Sequence, residues 1–317
     1  MSTDKARRSY LGFAVVGGSG ACQLALSRIG RTAAELRLDT PFGKAAPIQL
    51  LHPKGMEGSI AFLSRHGSPG YRITAPDVNY RANIWALKEI GTTRIISWSG
   101  PGAIDRRFKP GDYVLPDDLI DLTRGRENTF FKGTGLGFIR QSPVFCPELN
   151  ALLHDALKKL GRNYHPSGVY AVTDGPRLET PAEIRMIARL GGELVGMTLA
   201  PEAFLARELE MCYHPCCYVA NWAEGVKELP HRAGELFEGM LEEGLRAEVD
   251  QAVQGFGDIV LQTALLTASL KEAPRRCHCA SSMLRYRRAG IIGEDWHGWI
   301  MPAKEDSPFI DNQLKET

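Results

Sequence analysis

The sequence predicts an α/β protein whose central sheet is largely parallel or mixed and is flanked by helices. Seven short runs rich in Val, Ile, Leu or aromatic residues recur along the chain, each bounded by Gly, Pro or Asp. Stretches of helical period lie between several of them. Alternation of the two element types is the pattern of crossover connections, in which a helix carries the chain back to begin a neighbouring parallel strand.

The first run, 11–16 (LGFAVV), breaks into Gly17, Gly18, Ser19 and Gly20, a tight loop whose amides can hold an anion. The second is 59–64 (SIAFLS), followed by a helical stretch over 79–90 and the third run, 93–99 (TRIISWS). The fourth, 112–122 (DYVLPDDLIDL), precedes a helix expected over 147–160. The fifth, 168–174 (GVYAVTD), leads to a helix over 180–190, and the sixth, 192–198 (GELVGMT), to one over 201–209. The seventh is 216–221 (CCYVAN), and 229–270 reads as one or two long amphipathic helices that close the domain. Beyond residue 273 the character changes: PRRCHCASSMLRYRR is basic, and the remainder is a Pro/Gly-containing coil with two tryptophans. This tail is expected to pack on its own domain or on a neighbouring subunit.

A chain of 317 residues accommodates one large α/β domain or two small ones. Apolar residues at 44% and charged residues at 24% are ordinary for a globular protein. The net charge of +1 supplies no field favouring nucleic acid, membrane or acidic polymers, so the expected partner is a small molecule. The polar start MSTDKARRSY has no signal-peptide core behind it, which points to the cytoplasm. Seven cysteines, an odd number in a large chain, point to reduced thiols and not to a disulfide framework.

The glycine loop matches no nucleotide fingerprint: GxxxxGK[ST] is absent, and Gln23 occupies the place of the third glycine of GxGxxG. Other strand ends add to it. Arg65 and His66 follow the second run, a planar fork of donors beside an imidazole, suited to a tetrahedral oxyanion. Ser99 and the Gly100 amide sit at a glycine turn after the third run, and Thr198 follows the sixth. These four strand ends are expected to converge at the carboxyl edge of one sheet, where open α/β folds bind ligands.

The blocks VVGGSG, TPFGKAAPI, RHG, VNYRANIWALKEIG, PGDYVLPDDLIDLT, GPRLETPAEIRMI and GMTLAPEAFLARELEMCY, over residues 10–265, resemble in order and spacing the trimeric purine nucleoside phosphorylase and methylthioadenosine phosphorylase family. The resemblance implies a single nucleoside phosphorylase domain over 1–270 and a C-terminal extension of unknown role over 271–317. It implies that Ser19, Arg65, His66, Ser99, Gly100 and Thr198 hold inorganic phosphate, which is co-substrate and nucleophile, with no metal or other cofactor. Met197 would lie against the ribose. A homotrimer, or a dimer of trimers, with sites near subunit boundaries follows from the same resemblance.

Glu179 and Asn221 stand where 6-oxopurine members of that family carry a glutamate and an asparagine, and Ala223 stands where adenosine-type members carry a second aspartate. Chemistry agrees. A 6-oxopurine offers N1–H as a donor and O6 as an acceptor, which a carboxylate and an amide match. Adenine instead presents a lone pair at N1 that an ionised Glu179 repels, and mismatched buried polar groups cost about 1–3 kcal/mol each. The alternative is that Glu179 caps the following helix and Asn221 ends a strand. Where His231, Leu236 and Phe237 stand decides between a 5′-hydroxyl and an apolar 5′-methylthio group. PFGK and VNYRANIWALKEIG favour the methylthio branch, hence 5′-methylthioinosine over inosine, guanosine or methylthioadenosine. The chain departs from the family at Tyr71, in place of a histidine after RHG, at Trp98 and Pro101, and at Leu178, where an aromatic often stacks on the base. A non-catalytic purine binder and a hydrolase on the same scaffold are the competing classes. Cys277, His278, Cys279 and His297 form a poor zinc pattern, because CxC lacks a second spaced pair. Cys212, Cys216 and Cys217 read as small buried hydrophobes.

Overall fold

The computed structural model describes residues 9–18, 26–67, 71–229, 233–242, 244–269 and 275–300. The strands are β1 (Tyr10–Gly17), β2 (Gly30–Leu36), β3 (Asp39–Thr40), β4 (Gly43–Lys44), β5 (Ile48–Pro53), β6 (Ser59–Ser64), β7 (Arg94–Ser99), β8 (Gly102–Ala103), β9 (Tyr113–Val114), β10 (Asp118–Asp121), β11 (Tyr164–His165), β12 (Val169–Val172), β13 (Leu194–Gly196), β14 (Cys212–Tyr218) and β15 (Asn221–Trp222). The helices are α1 (Tyr80–Glu89), α2 (Pro147–Lys159), α3 (Pro181–Arg189), α4 (Leu199–Glu208), α5 (Leu245–Ser269) and α6 (Leu284–Arg288).

An eight-stranded sheet runs β11-β9-β14-β7-β1-β6-β5-β2, and a five-stranded sheet β10-β12-β13-β8-β15. The centre of the large sheet is parallel, from β6 through β1 and β7 to β14, with antiparallel strands at its flanks. Successive side chains of β1 face opposite ways, and both faces are covered. Phe13 and Val15 pack with Phe256, Ile259 and Val260 of α5, whereas Ala14 and Val16 join the main core with Ile84 and Leu87 of α1. The start of α1 is held by Asn79, whose side chain accepts from the Ala82 amide; a Thr180–Glu183 capping box starts α3.

Three connections carry the chain from the large sheet into the small one. β7 passes through Gly100 and Pro101 into β8, β9 through 115–117 into β10, and β14 through Val219 and Ala220 into β15. Hence DYVLPDDLIDL and CCYVAN, each read as one strand, are each two strands in different sheets. The break in the first falls at Pro116, which has no amide to continue a ladder. β2 and β5 went unread; the partly exposed GRTAAEL of β2 has neither a clean alternation nor an apolar run.

The expected helix over 229–270 is the single α5 with a 3-10 turn, Phe237–Met240, ahead of it; positions 230–232, 243 and 270 lie outside the described residues. The described part of the tail packs on its own body. Met283, Tyr286 and Trp299 enter the main core, and Arg287 clasps Glu210 with two bonds of 3.0 Å. Among the described residues no helix is long and apolar enough to cross a membrane.

Candidate active site

The four strand ends meet at the seam between the sheets and not along one edge. β1, β6 and β7 end side by side in the large sheet, Gly17 next to Ser64 and Trp98, but Thr198 follows β13 of the small sheet. The sheet-to-sheet crossovers close that gap. Ser99 Oγ lies 2.9 Å from Tyr170 OH of β12 and 3.4 Å from Thr198 Oγ1, which in turn accepts from Arg65 Nη1 at 3.4 Å. Strand period explains the choice of residues on β7: Ser97 and Ser99 face this cluster, and Trp98 points the other way. Trp98 is fully buried against Phe256, ring centroids 4.0 Å apart, so this departure from the family belongs to the core.

Arg65 is 1% exposed and heavily committed. Its Nε and Nη2 donate to Glu202 at 2.6 and 3.0 Å, Nη2 also to Ser97 Oγ at 2.7 Å, and Nη1 to the Trp98 carbonyl at 3.1 Å. Tyr213 OH donates to the same Glu202 carboxylate at 2.8 Å. Burial is the largest single influence and opposes the charge, yet Glu202 with Tyr213 and Tyr80 together outweigh it and hold the guanidinium pKa above its ordinary value. The fork therefore does not face an anion alone: only its Nη1 edge reaches the hydroxyl cluster.

His66 is 3% exposed, stacks on Tyr71 at 4.3 Å, and donates from Nδ1 to the Ile73 carbonyl at 2.9 Å. Burial, then the Arg65 charge, pushes its pKa down from 6.5 to about 4. The ring is neutral at pH 7 with its one proton on Nδ1, which leaves Nε2 an acceptor.

His214, fully buried, is likewise pushed down to about 4, chiefly by burial. Both histidines bind protons more readily unfolded, so the stability they contribute is present above pH 6.5 and lost as pH falls through about 4. Glu208, raised by burial from 4.5 to about 7, works in the opposite sense, its contribution being lost as pH rises through about 7. Two histidines outweigh one carboxyl. The folding equilibrium is expected to weaken on the order of a hundredfold from these groups between pH 7 and 4. Denaturant unfolding at the two pH values measures this, and an unchanged midpoint would mean charged imidazoles in the fold.

Gly100 is an exposed turn residue where a Cβ would stand 2.6 Å from the Tyr218 ring, so no side chain fits. Ser19 and His231 lie outside the described residues.

Glu179 does not cap α3, since Thr180 and Glu183 do so; its Oε1 accepts from Thr173 Oγ1 at 2.5 Å. Asn221 opens β15 and does not end a strand; it is 5% exposed, and its Nδ2 donates to the Trp222 carbonyl at 2.6 Å and lies 3.2 Å from Met240 Sδ. β12 and β15 are separated by two strands, but the loop after Asn221 returns towards α3: a Cβ on Gly225 would meet Pro181 at 2.9 Å. Ala223 is buried beside Gly102, and Leu178 is half-buried ahead of Glu179. Met197 follows β13, and a Cβ on Gly175 would stand 2.4 Å from its sulfur; the φ of 68° at Gly175 favours glycine.

Arg126, unread from the sequence, binds these pieces together. Its Nη1 donates to the Met197 and Ala200 carbonyls at 2.7 and 2.8 Å, and its Nη2 to those of Thr173 and Asp174 at 3.2 and 2.7 Å. Glu202 and Tyr170 were missed as well. Glu202 lies within a helical stretch where a carboxylate reads as solvated surface, and only the fold sets it against Arg65.

Ser99, Thr198, Tyr170 and the Nη1 edge of Arg65 thus meet at the seam between the two sheets of an α/β fold. The chain belongs to the Phosphorylase superfamily, whose profile matches residues 13–252. It is 38% identical over 279 residues to the 6-oxopurine nucleoside phosphorylase of Pyrococcus furiosus, covering 85% of this chain and 97% of that one. It is 42% identical over 226 residues to a probable S-methyl-5′-thioinosine phosphorylase of Methanothermobacter thermautotrophicus, covering 71% and 77%. Among solved structures it resembles a methylthioadenosine phosphorylase from an antarctic soil metagenomic library, with a TM-score of 0.73, 28% identity, and coverage of 86% and 91%.

Proposed function

We propose that the chain cleaves the N-glycosidic bond of a 6-oxopurine nucleoside by phosphorolysis, with 5′-methylthioinosine the preferred substrate. The observation that carries it is the meeting of Ser99, Thr198 and the Arg65 Nη1 edge within 3.4 Å at the seam. The names of the Pyrococcus and Methanothermobacter relatives support the same reaction.

Phosphate is the co-substrate and no cofactor takes part. A phosphate oxygen attacks C1′ as the C1′–N9 bond breaks, giving free purine and ribose-1-phosphate or its 5-methylthio analogue. Ser99, Thr198, Gly100 and Ser19 donate to the anion, while His66 Nε2 accepts from the hydroxyl of monohydrogen phosphate. The ribosyl centre gains positive charge in the transition state beside the phosphate, and Glu179 and Asn221 stabilise the charge that moves onto the departing base. Asn221 donates to O6 and accepts from a protonated N7; Glu179 accepts from N1–H. Leu178 and Met197 supply apolar contact to base and ribose.

Leu236 and Phe237, 53% and 47% exposed, lie in the segment that Met240 ties to Asn221, and they favour an apolar 5′ substituent. The Met186 and Leu190 side chains, exposed one helical turn apart at the end of α3, offer apolar surface for the neighbouring copy in a trimer.

A phosphorolysis panel tests the reading: inosine, guanosine, adenosine, methylthioinosine and methylthioadenosine, each with and without phosphate. Phosphate-dependent release of hypoxanthine, fastest from methylthioinosine, is expected. Purine binding without cleavage would make the protein a binder, and phosphate-independent release of free ribose would make it a hydrolase.

A further inference from the structure

Four cysteines far apart in sequence come together away from the hydroxyl cluster. Cys146 is the N-cap residue of α2, Cys212 opens β14, and Cys277 and Cys279 flank the turn that leads the C-terminal extension into its 3-10 helix, Cys279–Ser281. Their Sγ atoms all lie within 4.8 Å of one another. Cys146, Cys212 and Cys279 are buried and Cys277 is partly so. We propose that Cys146, Cys212, Cys277 and Cys279 bind one structural zinc ion that fastens the extension to the phosphorylase body.

Zinc bound by four thiolates at about 2.3 Å holds its sulfurs roughly 3.8 Å apart in a tetrahedron, close to the spacing seen here. Cys212 and Cys277 stand 3.4 Å apart, a contact distance and not a bond. A set of four sulfur donors selects zinc or another soft metal over magnesium or calcium.

The surroundings fit the charge. Four thiolates and a divalent ion leave a net charge of −2, and two arginines approach it. Arg275 Nη1 lies 3.9 Å from Cys212 Sγ and Arg207 Nη1 3.9 Å from Cys279 Sγ, both within a largely buried cluster. The amino end of α2 adds partial positive charge beside Cys146. A packing cluster of neutral thiols would give these cations nothing to neutralise.

In the sequence the CxC pair at 277 and 279 has no second spaced pair. His297 is occupied elsewhere, between Asp295 at 2.8 Å and Glu89 at 2.7 Å. The second pair is Cys146 and Cys212, supplied by the body of the fold. Closure of the site joins residues more than 60 positions apart, so the ion would hold the extension where Arg287 and Glu210 already meet.

Elemental analysis of the full chain, purified from zinc-containing medium without chelators, is expected to find about one zinc per chain. Cobalt in its place should give the strong sulfur-to-metal absorption of a tetrahedral thiolate site. Thiol titration after unfolding with chelator and without reductant should count all seven cysteines. Metal-free protein with two or four fewer thiols would overturn the proposal in favour of disulfides, and metal-free protein with all thiols present would overturn it in favour of simple packing. Cys277→Ser with Cys279→Ser, which leaves the body untouched, should reduce bound zinc to background; retention of the metal would exclude the extension as a source of ligands.

Discussion

Arg65→Ala is expected to abolish phosphate-dependent cleavage and to weaken the fold by about 3–5 kcal/mol, because it leaves the carboxylate of Glu202, 2% exposed, without its counter-charge. Loss of activity in that variant alone would say little about phosphate. Arg65→Met combined with Glu202→Gln separates the two effects: both charges are gone, and the amide still accepts from Tyr213 OH. Unfolding should then recover most of the lost stability, while the phosphate KM stays raised. Thr198→Ala removes a hydroxyl and no charge, and should raise the phosphate KM roughly tenfold or more without altering base preference, the effect of one lost bond to an anion. Wild-type phosphate kinetics in the Arg65→Met/Glu202→Gln protein would remove Arg65 from the site.

The second large effect concerns the base. Asn221→Asp alone should lose 6-oxopurine activity and gain little, since Glu179 still faces N1 and repels the lone pair of adenine. Adding Glu179→Ser and Ala223→Asp removes the repulsion and supplies the acidic pair, and the triple variant should shift preference towards 6-aminopurine nucleosides by about tenfold or more, at about 1.4 kcal/mol per decade. Two structural facts bear on its design. Glu179→Ser frees Thr173 Oγ1, and the carboxylate introduced at 223 enters a site that is 5% exposed next to Gly102, where it needs a donor to offset its burial. The ratio of kcat/KM for methylthioadenosine and methylthioinosine, measured across the series, checks the prediction. Equal cleavage of adenine and 6-oxopurine nucleosides by the wild type would show that Glu179 and Asn221 do not read the base.

The expected helices over 79–90, 147–160, 180–190 and 201–209 agree with α1 to α4 within two residues at each end, because capping residues, prolines and apolar period act locally. Six of the seven strand runs begin within two residues of an observed strand start for a similar reason: a strand buried on both faces needs a continuous apolar run. Arg65, Ser99 and Thr198, which meet at the seam, were legible too, since an arginine or a hydroxyl at a strand end is visible in one dimension.

What the tertiary structure alone decided is which of those groups meet, and in what electrostatic state. Three crossings between two sheets bring Thr198 to Ser99; Gly100-Pro101 and Pro116 mark where two strands break, but no local pattern tells that the chain then changes sheets. Glu202 neutralises Arg65 from 137 residues away, and burial with the Arg65 charge holds His66 neutral while the Ile73 carbonyl takes its Nδ1 proton. The cysteine cluster is the clearest case: Cys146 and Cys212 carry no sequence signal towards Cys277 and Cys279, since their approach follows from where α2 and β14 begin. Short-range sterics and solvation write secondary structure into neighbouring residues, whereas charge state, ligand sets and site geometry depend on distances across the fold, which spacing along the chain does not encode.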